Sequence, residues 1–231
     1  MNKQVIIGIV AVHKKTEDKR TNSLIRDEVK QAIFDNGGIA IGILSPNEEI
    51  MYAVNNWKEK EDLIKKDEII EEIKLCDGII LQGGLTTEAY GDWIAKYCYD
   101  NDIPILGICA GQNCVVRGLG GKTYKIPNPE KHSRPFDDYV HSIKIQKNSK
   151  FFDIINKEEI MVNSRHKNAV LECPELEKVA FCEDGYADVV ESKNKKFYIG
   201  VRFHPESLYK IDENMNNIFK RFIEVCENTK L

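Results

Sequence analysis

Cys109 is the residue whose position most directly suggests chemistry. It follows a short apolar segment, Ile103–Ile108, which is long enough for a buried strand and too short for a helix. Gly107 and Gly111 stand two positions before and two positions after the cysteine, and a helix-compatible segment, Gln112–Leu119, comes next. This order predicts a sharp strand-to-helix turn that pushes the thiol out above a sheet, as in a nucleophile elbow.

A cysteine at the start of a helix is expected to be reactive. The unpaired amides and the positive dipole end of a helix N-terminus both favour the thiolate over the thiol. The backbone N–H of Ala110 would point to the place where an oxyanion forms when the thiolate attacks a carbonyl. The alternative is that Cys109 is a small apolar residue that fills the end of a strand, as free cysteines often do.

A second segment favours the catalytic interpretation. Phe197–Phe203 is rich in β-branched and aromatic residues, which predicts a strand, and His204-Pro205-Glu206 follows it. Pro205 pushes the preceding residue toward extended geometry, in which residues i and i+2 face the same side. We therefore expect the Glu206 carboxylate to orient the His204 imidazole, which in turn holds Cys109 as a thiolate. Taken alone, these three residues would be a polar turn that closes a strand.

Four motifs, in this order, resemble those of the class I glutamine amidotransferase superfamily. They are Asp77-Gly78-Ile79-Ile80-Leu81-Gln82-Gly83-Gly84, Gly107-Ile108-Cys109-Ala110-Gly111, Val162-Asn163-Ser164-Arg165-His166 and Phe203-His204-Pro205-Glu206. Within the superfamily, the chain most resembles the γ-glutamyl-γ-aminobutyrate hydrolase (γ-glutamyl peptidase-like) branch. The similarity begins at Val5 and covers essentially the whole chain. It implies the flavodoxin-like fold of these enzymes.

The resemblance also implies further site residues. An amide after the third strand, from Gly84, would be the second oxyanion donor beside that of Ala110. The loop after Val162 would lie over the active site and help to bind the glutamyl part of the substrate, through Asn163, Ser164 and His166.

The chain departs from the superfamily pattern at two places. The superfamily commonly has glutamine four residues after the nucleophile, where this chain has Asn113, which is one methylene shorter. Asn113 would either contact the γ-glutamyl group or be an ordinary polar residue of a helix. Related proteins of the branch usually have a longer acidic insert where this chain has the short segment Leu85–Trp93. This second departure bears on substrate identity and leaves the triad intact.

The resulting hypothesis is hydrolysis of a γ-glutamyl amide through a thioester on Cys109, which releases glutamate and an amine. One alternative is a glutaminase with the same triad, whose ammonia passes to a separate synthase partner. Another is a non-catalytic binding or regulatory protein on the same scaffold, because a fold does not dictate an activity.

The bulk properties set limits on this hypothesis. The chain has 231 residues, a length that suits one α/β domain over residues 1–231. Its formal net charge of −4 argues against a surface that binds nucleic acid or an anionic membrane. The seven cysteines show no disulfide pattern, and the sequence has no signal peptide, so a reducing cytoplasm is expected. No cysteine and histidine have zinc-ligand spacing, which predicts no metal and no cofactor. A homodimer and a synthase partner are both compatible with the sequence.

The elements around the motifs predict an α/β fold with three layers. Strands are expected at Val5–Val10, Ile39–Leu44, Gly78–Leu81 and Ile103–Ile108, and helices at Ser23–Asn36, Thr86–Asn101 and Asp212–Glu227. Strands alternating with helices form a mostly parallel central sheet with helices on both faces. The later short strands, Val140–Ile145, Ile160–Val162, Val179–Cys182 and Ala187–Glu191, predict an antiparallel extension. His13–Asn22 is predicted to be a charged surface loop, and His132 and His141 to be surface or packing residues.

Overall fold

The secondary structure alternates strands and helices over residues 4–46, 57–84, 88–134 and 139–229, which the computed structural model describes. The strands are β1 (Ile6–Val10), β2 (Val12–Lys15), β3 (Thr21–Leu24), β4 (Ile39–Ile43), β5 (Gly78–Leu81), β6 (Ile105–Ile108), β7 (Lys122–Lys125), β8 (Tyr139–Ile145), β9 (Glu159–Asn163), β10 (Asn168–Glu172), β11 (Glu177–Cys182), β12 (Ala187–Glu191) and β13 (Tyr198–Val201). The α-helices are α1 (Asp27–Asp35), α2 (Lys66–Ile73), α3 (Ala89–Asp100), α4 (Ala110–Gly118), α5 (Lys150–Ile155), α6 (Pro205–Leu208) and α7 (Glu213–Thr229). Two 3₁₀-helices lie at Trp57–Leu63 and Pro129–His132.

A nine-stranded sheet organises these elements, in the order β4-β1-β5-β6-β13-β12-β11-β8-β9. The first five strands pair in parallel. The other four continue the sheet in antiparallel fashion beyond β13. The predicted parallel sheet with an antiparallel extension is therefore confirmed.

Helices cover both faces of this sheet. One apolar core is formed by buried residues of the sheet together with α1, α5 and α7. The second core is formed with α2, α3 and α4 on the opposite face. Strands β5, β6 and β13 are buried at every residue, as expected of parallel strands that are covered on both sides. This arrangement is the predicted three-layer α/β fold.

The segment His13–Asn22 differs from the prediction of a charged loop. Strands β2 and β3 form an antiparallel hairpin there, with Val12 paired to Leu24 and Lys15 to Thr21. The hairpin is mostly exposed, so its sequence carries no alternation of apolar and polar residues by which a strand could be recognised. The side chain of His13 is buried, and its Nδ1 lies 2.7 Å from Oε2 of Glu88.

The predicted helix over Thr86–Asn101 is observed as α3, and Thr86 itself lies outside the described residues. Among the residues that the structure describes, no helix has both the length and the apolar character needed to cross a bilayer.

The sheet order determines where the motifs meet. Strands β5, β6 and β13 are parallel neighbours, so their carboxyl ends lie at the same edge. Gln82 and Gly83 follow β5, Cys109 follows β6, and His204 comes shortly after β13. The carboxyl edge of an open α/β sheet is the usual place for a ligand.

Candidate active site

The structure brings the three residues of the predicted triad together. Cys109 and His204 form a side-chain hydrogen bond, and Nδ1 of His204 lies 2.7 Å from Oε1 of Glu206. His204 and Glu206 are buried, and Cys109 is partly exposed. The predicted nucleophile, base and orienting carboxylate are thus connected in series.

Cys109 occupies the predicted elbow between β6 and α4. Its φ of 51° and ψ of −103° lie outside the regions that non-glycine residues normally adopt, a strain of about 1–3 kcal/mol. The elbow is held in place because the backbone N–H of Cys109 donates to the carbonyl of Val201 on β13. Gly111 is required for the close packing of α4, since a Cβ atom there would lie 1.9 Å from the carbonyl oxygen of Leu81.

The electrostatics of the pair favour a thiolate and an imidazolium. Burial alone would raise the pKa of Cys109, but the adjacent His204 and, to a smaller extent, Arg202 bring that pKa below its ordinary value. Burial would lower the pKa of His204, whereas the charges of Glu206 and Cys109 raise it to about 9. The imidazolium in turn outweighs the effect of burial on Glu206 and lowers the pKa of that carboxyl.

The local geometry of Glu206 differs from the extended segment that the sequence suggested. Pro205 begins the short helix α6, a position that suits its fixed φ and its missing N–H. Glu206 is therefore the second residue of a helix, and His204, with φ −118° and ψ 79°, is the residue before it. The contact between imidazole and carboxylate forms in this geometry as well.

Asn163 fixes the backbone of His204. Its side-chain oxygen accepts the N–H of His204 at 2.9 Å, and its side-chain nitrogen donates to the carbonyl of His204 at 2.9 Å. The sequence predicted Asn163 as a substrate ligand, and the structure places it where it holds the backbone of His204.

One predicted oxyanion donor, the N–H of Ala110, follows Cys109 directly, and the other, that of Gly84, belongs to the glycine turn after β5. Ala110 is the first residue of α4, and the first amides of a helix have no acceptor within that helix. A Cβ atom at Gly83 would lie 2.9 Å from Cε1 of His204 and 3.4 Å from Cβ of Cys109. Gly83, which the sequence analysis did not single out, is thus the glycine seen in contact with the pair, and Gly84 follows it directly.

Arg26 and Gln82 hold this glycine turn. The Nε of Arg26 donates to the carbonyl of Gly83 at 3.0 Å. The side chain of Gln82 accepts the N–H of Arg26 and donates to the carbonyls of Val10 and Leu24. Because a trans peptide points its C=O and N–H in opposite directions, the bond to Gly83 turns the N–H of Gly84 away from Arg26.

The other predicted substrate residues, Asn113, Ser164 and His166, are buried. Oδ1 of Asn113 accepts a hydrogen bond from Nη1 of Arg202 at 2.8 Å. Ser164 is buried, and its hydroxyl has no hydrogen-bond partner among the described residues. His166 is buried too, and burial is the main cause that lowers its pKa to about 3, so its ring is neutral.

Arg202 is a site residue that the sequence analysis missed. Its side chain is fully buried, and its Nη1 donates to the backbone carbonyl of Cys109 at 3.2 Å as well as to Asn113. The sequence does contain a signal for this residue, because an arginine interrupts an otherwise apolar predicted strand only two residues before His204. A charge in such a position is seldom buried without a partner.

Two overlapping sets of side chains could hold a metal ion, among the residues that the structure describes. One consists of His132, His141 and Cys182, and the other of His141, His166 and Asp188. Neither set contains a residue of the triad, and neither showed zinc-ligand spacing in the sequence.

Comparison with known proteins identifies the family. Residues 86–206 match the family model described as Peptidase C26. A glutamine-hydrolyzing GMP synthase subunit from Methanococcus aeolicus is 32% identical over 163 residues, which cover 68% of this chain and 78% of that protein. The anthranilate synthase component 2 of Cyanophora paradoxa is 33% identical over 177 residues, covering 72% of this chain and 86% of that protein.

Longer relatives are matched over only part of their length. The probable glutamine-hydrolyzing GMP synthase of Leptospira interrogans is 30% identical over 173 residues, and the match covers 27% of that protein. This chain therefore corresponds to about a quarter of the longer synthase. These relatives support the superfamily and do not support the γ-glutamyl-γ-aminobutyrate hydrolase branch that the motifs suggested.

Two solved structures share the fold. A protein from Thermoplasma acidophilum, described as a GMP synthase subunit, aligns with a TM-score of 0.67 at 18% identity, over 99% of this chain and 96% of that chain. The glutaminase domain of Trypanosoma brucei CTPS, solved with bound acivicin, aligns with a TM-score of 0.67 at 16% identity and the same coverage. With the matched family model, the fold and the relatives in agreement, the chain belongs to the Peptidase C26 family of class I glutamine amidotransferase domains.

Proposed function

We propose that this protein is a glutaminase that supplies ammonia to a synthase on a separate chain. The observation that carries the proposal is the hydrogen-bonded series Cys109, His204 and Glu206, in which the cysteine is poised as a thiolate. Relatives of similar length are named glutamine-hydrolyzing subunits of GMP synthase, which favours glutamine over other γ-glutamyl amides.

In this mechanism the Cys109 thiolate attacks the side-chain carbonyl carbon of glutamine. The carbonyl π electrons move to oxygen, and the oxyanion is held by the backbone N–H groups of Ala110 and Gly84. His204, as an imidazolium, gives its proton to the departing nitrogen, so ammonia leaves and a γ-glutamyl thioester remains. His204 then takes a proton from water, the resulting hydroxide attacks the thioester, and glutamate and the Cys109 thiolate are released.

The surrounding residues have distinct proposed tasks. Both side-chain polar atoms of Asn163 are bonded to His204, and Oδ1 of Asn113 is bonded to Arg202, so we assign these two asparagines to positioning. The hydroxyl of Ser164 has no partner among the described residues, which leaves it available to the glutamyl part of the substrate. The ring of His166 packs 4.8 Å from that of His132, so we do not assign His166 to the substrate. The bond from Arg26 to Gly83 supports the role of Gly84, because it sets the direction of the Gly84 N–H.

We further propose that residues 1–231 act as one catalytic domain, since two neighbouring strands of a single sheet, β6 and β13, lead into the triad residues, and that sheet joins both cores. Relatives of similar length are named glutamine-hydrolyzing subunits of GMP synthase, which favours a synthase partner for such a domain. A GMP synthase is the first candidate partner, because that name recurs among the relatives.

The test measures glutamate formed from glutamine by the protein alone and after addition of the ammonia-using GMP synthase chain of the same organism. We expect slow hydrolysis alone and a rise of about tenfold or more with the partner, because a coupled amidotransferase gains by hydrolysing glutamine only when ammonia can be used. Cys109→Ser protein is the control and should form no glutamate in either condition. A partner that leaves the rate unchanged would contradict the proposed coupling.

The second candidate is an amide hydrolase that acts without a partner on γ-glutamyl amides of larger amines. The description of the matched family model as a peptidase favours it. A panel of γ-glutamyl amides, assayed beside glutamine without any partner, separates the two. Faster turnover of one of these amides than of glutamine would favour the hydrolase.

A further inference from the structure

Outside the triad, five side chains with metal-ligating atoms meet in one buried group, which we call the histidine cluster: His132, His141, His166, Cys182 and Asp188. The rings of His132 and His166 have centroids 4.8 Å apart, and those of His132 and His141 are 5.3 Å apart. The five residues come from separate parts of the antiparallel extension and its connections. Neither catalysis nor the proposed substrate contacts use His132, His141 or Cys182.

Each histidine of the cluster has one ring nitrogen already paired with an acceptor. Nε2 of His132 lies 3.2 Å from Oδ2 of Asp184, and Nε2 of His141 lies 2.6 Å from Oδ2 of Asp188. Nδ1 of His166 lies 3.0 Å from the backbone carbonyl of residue 168. In a neutral imidazole the nitrogen facing an acceptor carries the proton, and the other nitrogen carries a lone pair.

The remaining nitrogens are buried with their lone pairs unused. Nδ1 of His132, Nδ1 of His141 and Nε2 of His166 are inaccessible to solvent and have no hydrogen-bond partner among the described residues. Side chains rarely bury a polar atom in this way unless a ligand, an ion or a water satisfies it. A metal ion would satisfy such lone pairs, and a carboxylate on the far nitrogen is the arrangement that commonly orients a ligating histidine.

Cys182 adds a sulfur to this group. One nitrogen of His132, one nitrogen of His141 and Sγ of Cys182 all lie within 4.8 Å of one another. In the absence of a cation, burial and the nearby Asp188 raise the pKa of Cys182 to about 11, so it is a thiol at neutral pH.

We propose that His132, His141 and Cys182 bind one divalent transition-metal ion of the zinc class. Two imidazole nitrogens and a thiolate are the donor types that zinc prefers, whereas magnesium and calcium need mainly oxygen ligands. On binding, Cys182 gives its proton to solvent, and the metal takes the place of that proton on sulfur. Asp184 and Asp188 remain as the outer carboxylates that orient the two histidines.

The ion would have a structural task. It would tie the segment that ends at His132 to strands β8 and β11. That segment continues directly to Arg134, whose N–H donates to the carbonyl of Ser164, next to Asn163. A metal in the histidine cluster would therefore stiffen the connection that carries the asparagine holding His204.

The test uses Cys109→Ser protein, because the thiolate–imidazole pair of the triad could itself capture zinc. The protein is treated with a chelator and reloaded separately with Zn²⁺ and Co²⁺. We expect about one equivalent of metal per chain by elemental analysis, and a thiolate-to-cobalt charge-transfer band in the near ultraviolet. Zn²⁺ should also raise the melting temperature in a concentration-dependent way.

Two further variants in the same background identify the ligands. Cys182→Ser should abolish the charge-transfer band, whereas Cys173→Ser, which changes a partly buried cysteine outside the cluster, should keep it. His141→Asn should weaken zinc binding by about tenfold or more. Because His141→Asn could also unfold the protein, its circular dichroism is compared with that of the parent, and His132→Asn replaces it if the fold is lost.

Absence of bound metal in the Cys109→Ser protein, or a charge-transfer band that persists in Cys182→Ser, would overturn the proposal. Neither result bears on the glutaminase assay, which uses the intact triad. The two proposals can therefore fail independently.

Discussion

Within the part of the chain that the structure describes, a cysteine, a histidine and a carboxylate meet at the triad and again in the histidine cluster, and the two thiols have opposite properties. At Cys109 the pKa is below its ordinary value, and at Cys182 it is raised to about 11. Burial raises the pKa in both places. The difference lies in the neighbours, since His204 and Arg202 present positive charge to Cys109, whereas Asp188 and Asp184 present negative charge to Cys182.

The contrast shows that the sign of the surrounding charge decides what a cysteine can do. A thiolate stabilised by an imidazolium is a nucleophile, and a thiol beside carboxylates is inert until a cation arrives. Arg202 influences both groups. Its guanidinium contacts the backbone of Cys109 and acts electrostatically with the thiolate and with Asp188. Four measurements can refute this contrast or refine it.

The largest effect is expected from replacing the reactive thiol. Cys109→Ser should lower kcat for glutamine by a factor on the order of 10⁴ to 10⁶, since the nucleophile and its base act as a unit. Cys173→Ser, the matched control, should keep the parental rate.

In the wild-type protein, iodoacetamide at neutral pH should label Cys109 well before Cys182, as followed by peptide mass spectrometry. Equal labelling of the two thiols would refute the contrast between them.

The next effect tests how the base is held. Asn163→Ala removes both hydrogen bonds to the His204 backbone, and we expect kcat to fall about 100-fold because a small displacement of a catalytic group is costly. The KM for glutamine should change much less if Asn163 acts on the base and not on the substrate. Asn101→Ala, which alters an exposed asparagine bonded to its own helix, is the control. A change confined to KM would instead restore Asn163 as a substrate ligand.

A smaller effect is expected in the pH profile. The active ion pair exists above the lowered pKa of Cys109 and below the pKa of His204, which is about 9, so kcat/KM should fall as the pH rises through about 9. Glu206→Gln removes a charge that raises the pKa of His204, and the falling limb should move to lower pH by about one unit or more. The measurement is kcat/KM as a function of pH for both proteins. If kcat/KM of Glu206→Gln falls at the same pH as that of the wild-type protein, Glu206 is not the residue that raises the pKa of His204.

The smallest effect concerns the arginine that acts on both groups. Arg202→Met keeps much of the apolar stem and removes the charge, so the pKa of Cys109 should rise and its alkylation at mildly acidic pH should slow by a few-fold. His204 still provides most of the stabilisation, which is why the effect is modest. The pH dependence of iodoacetamide labelling measures it, with Cys173 as the internal reference. Faster labelling of Cys109 in the variant would contradict the assigned role of Arg202.

Much of the fold could be predicted because its signals are local. The sequence alone shows the apolar segments that form β1, β5 and β6, and it shows the glycines on either side of Cys109. The β2–β3 hairpin was missed because its exposed strands have no buried face and hence no hydrophobic alternation. The helical start at Pro205 was missed because a proline that ends an extended segment and one that begins a helix look alike in sequence.

The meeting of the three triad residues could be predicted from residue order, because each member lies at or near the end of a buried strand within a short motif. What surrounds those motifs depends on how the chain folds. Asn163 is 41 positions from His204 and Arg202 is 89 positions from Asn113, and the histidine cluster gathers residues from separate strands. Such contacts depend on strand order and register across the sheet, which residue spacing along the chain does not encode. For the same reason the absence of zinc-like spacing in the sequence could not test whether a metal site forms between strands.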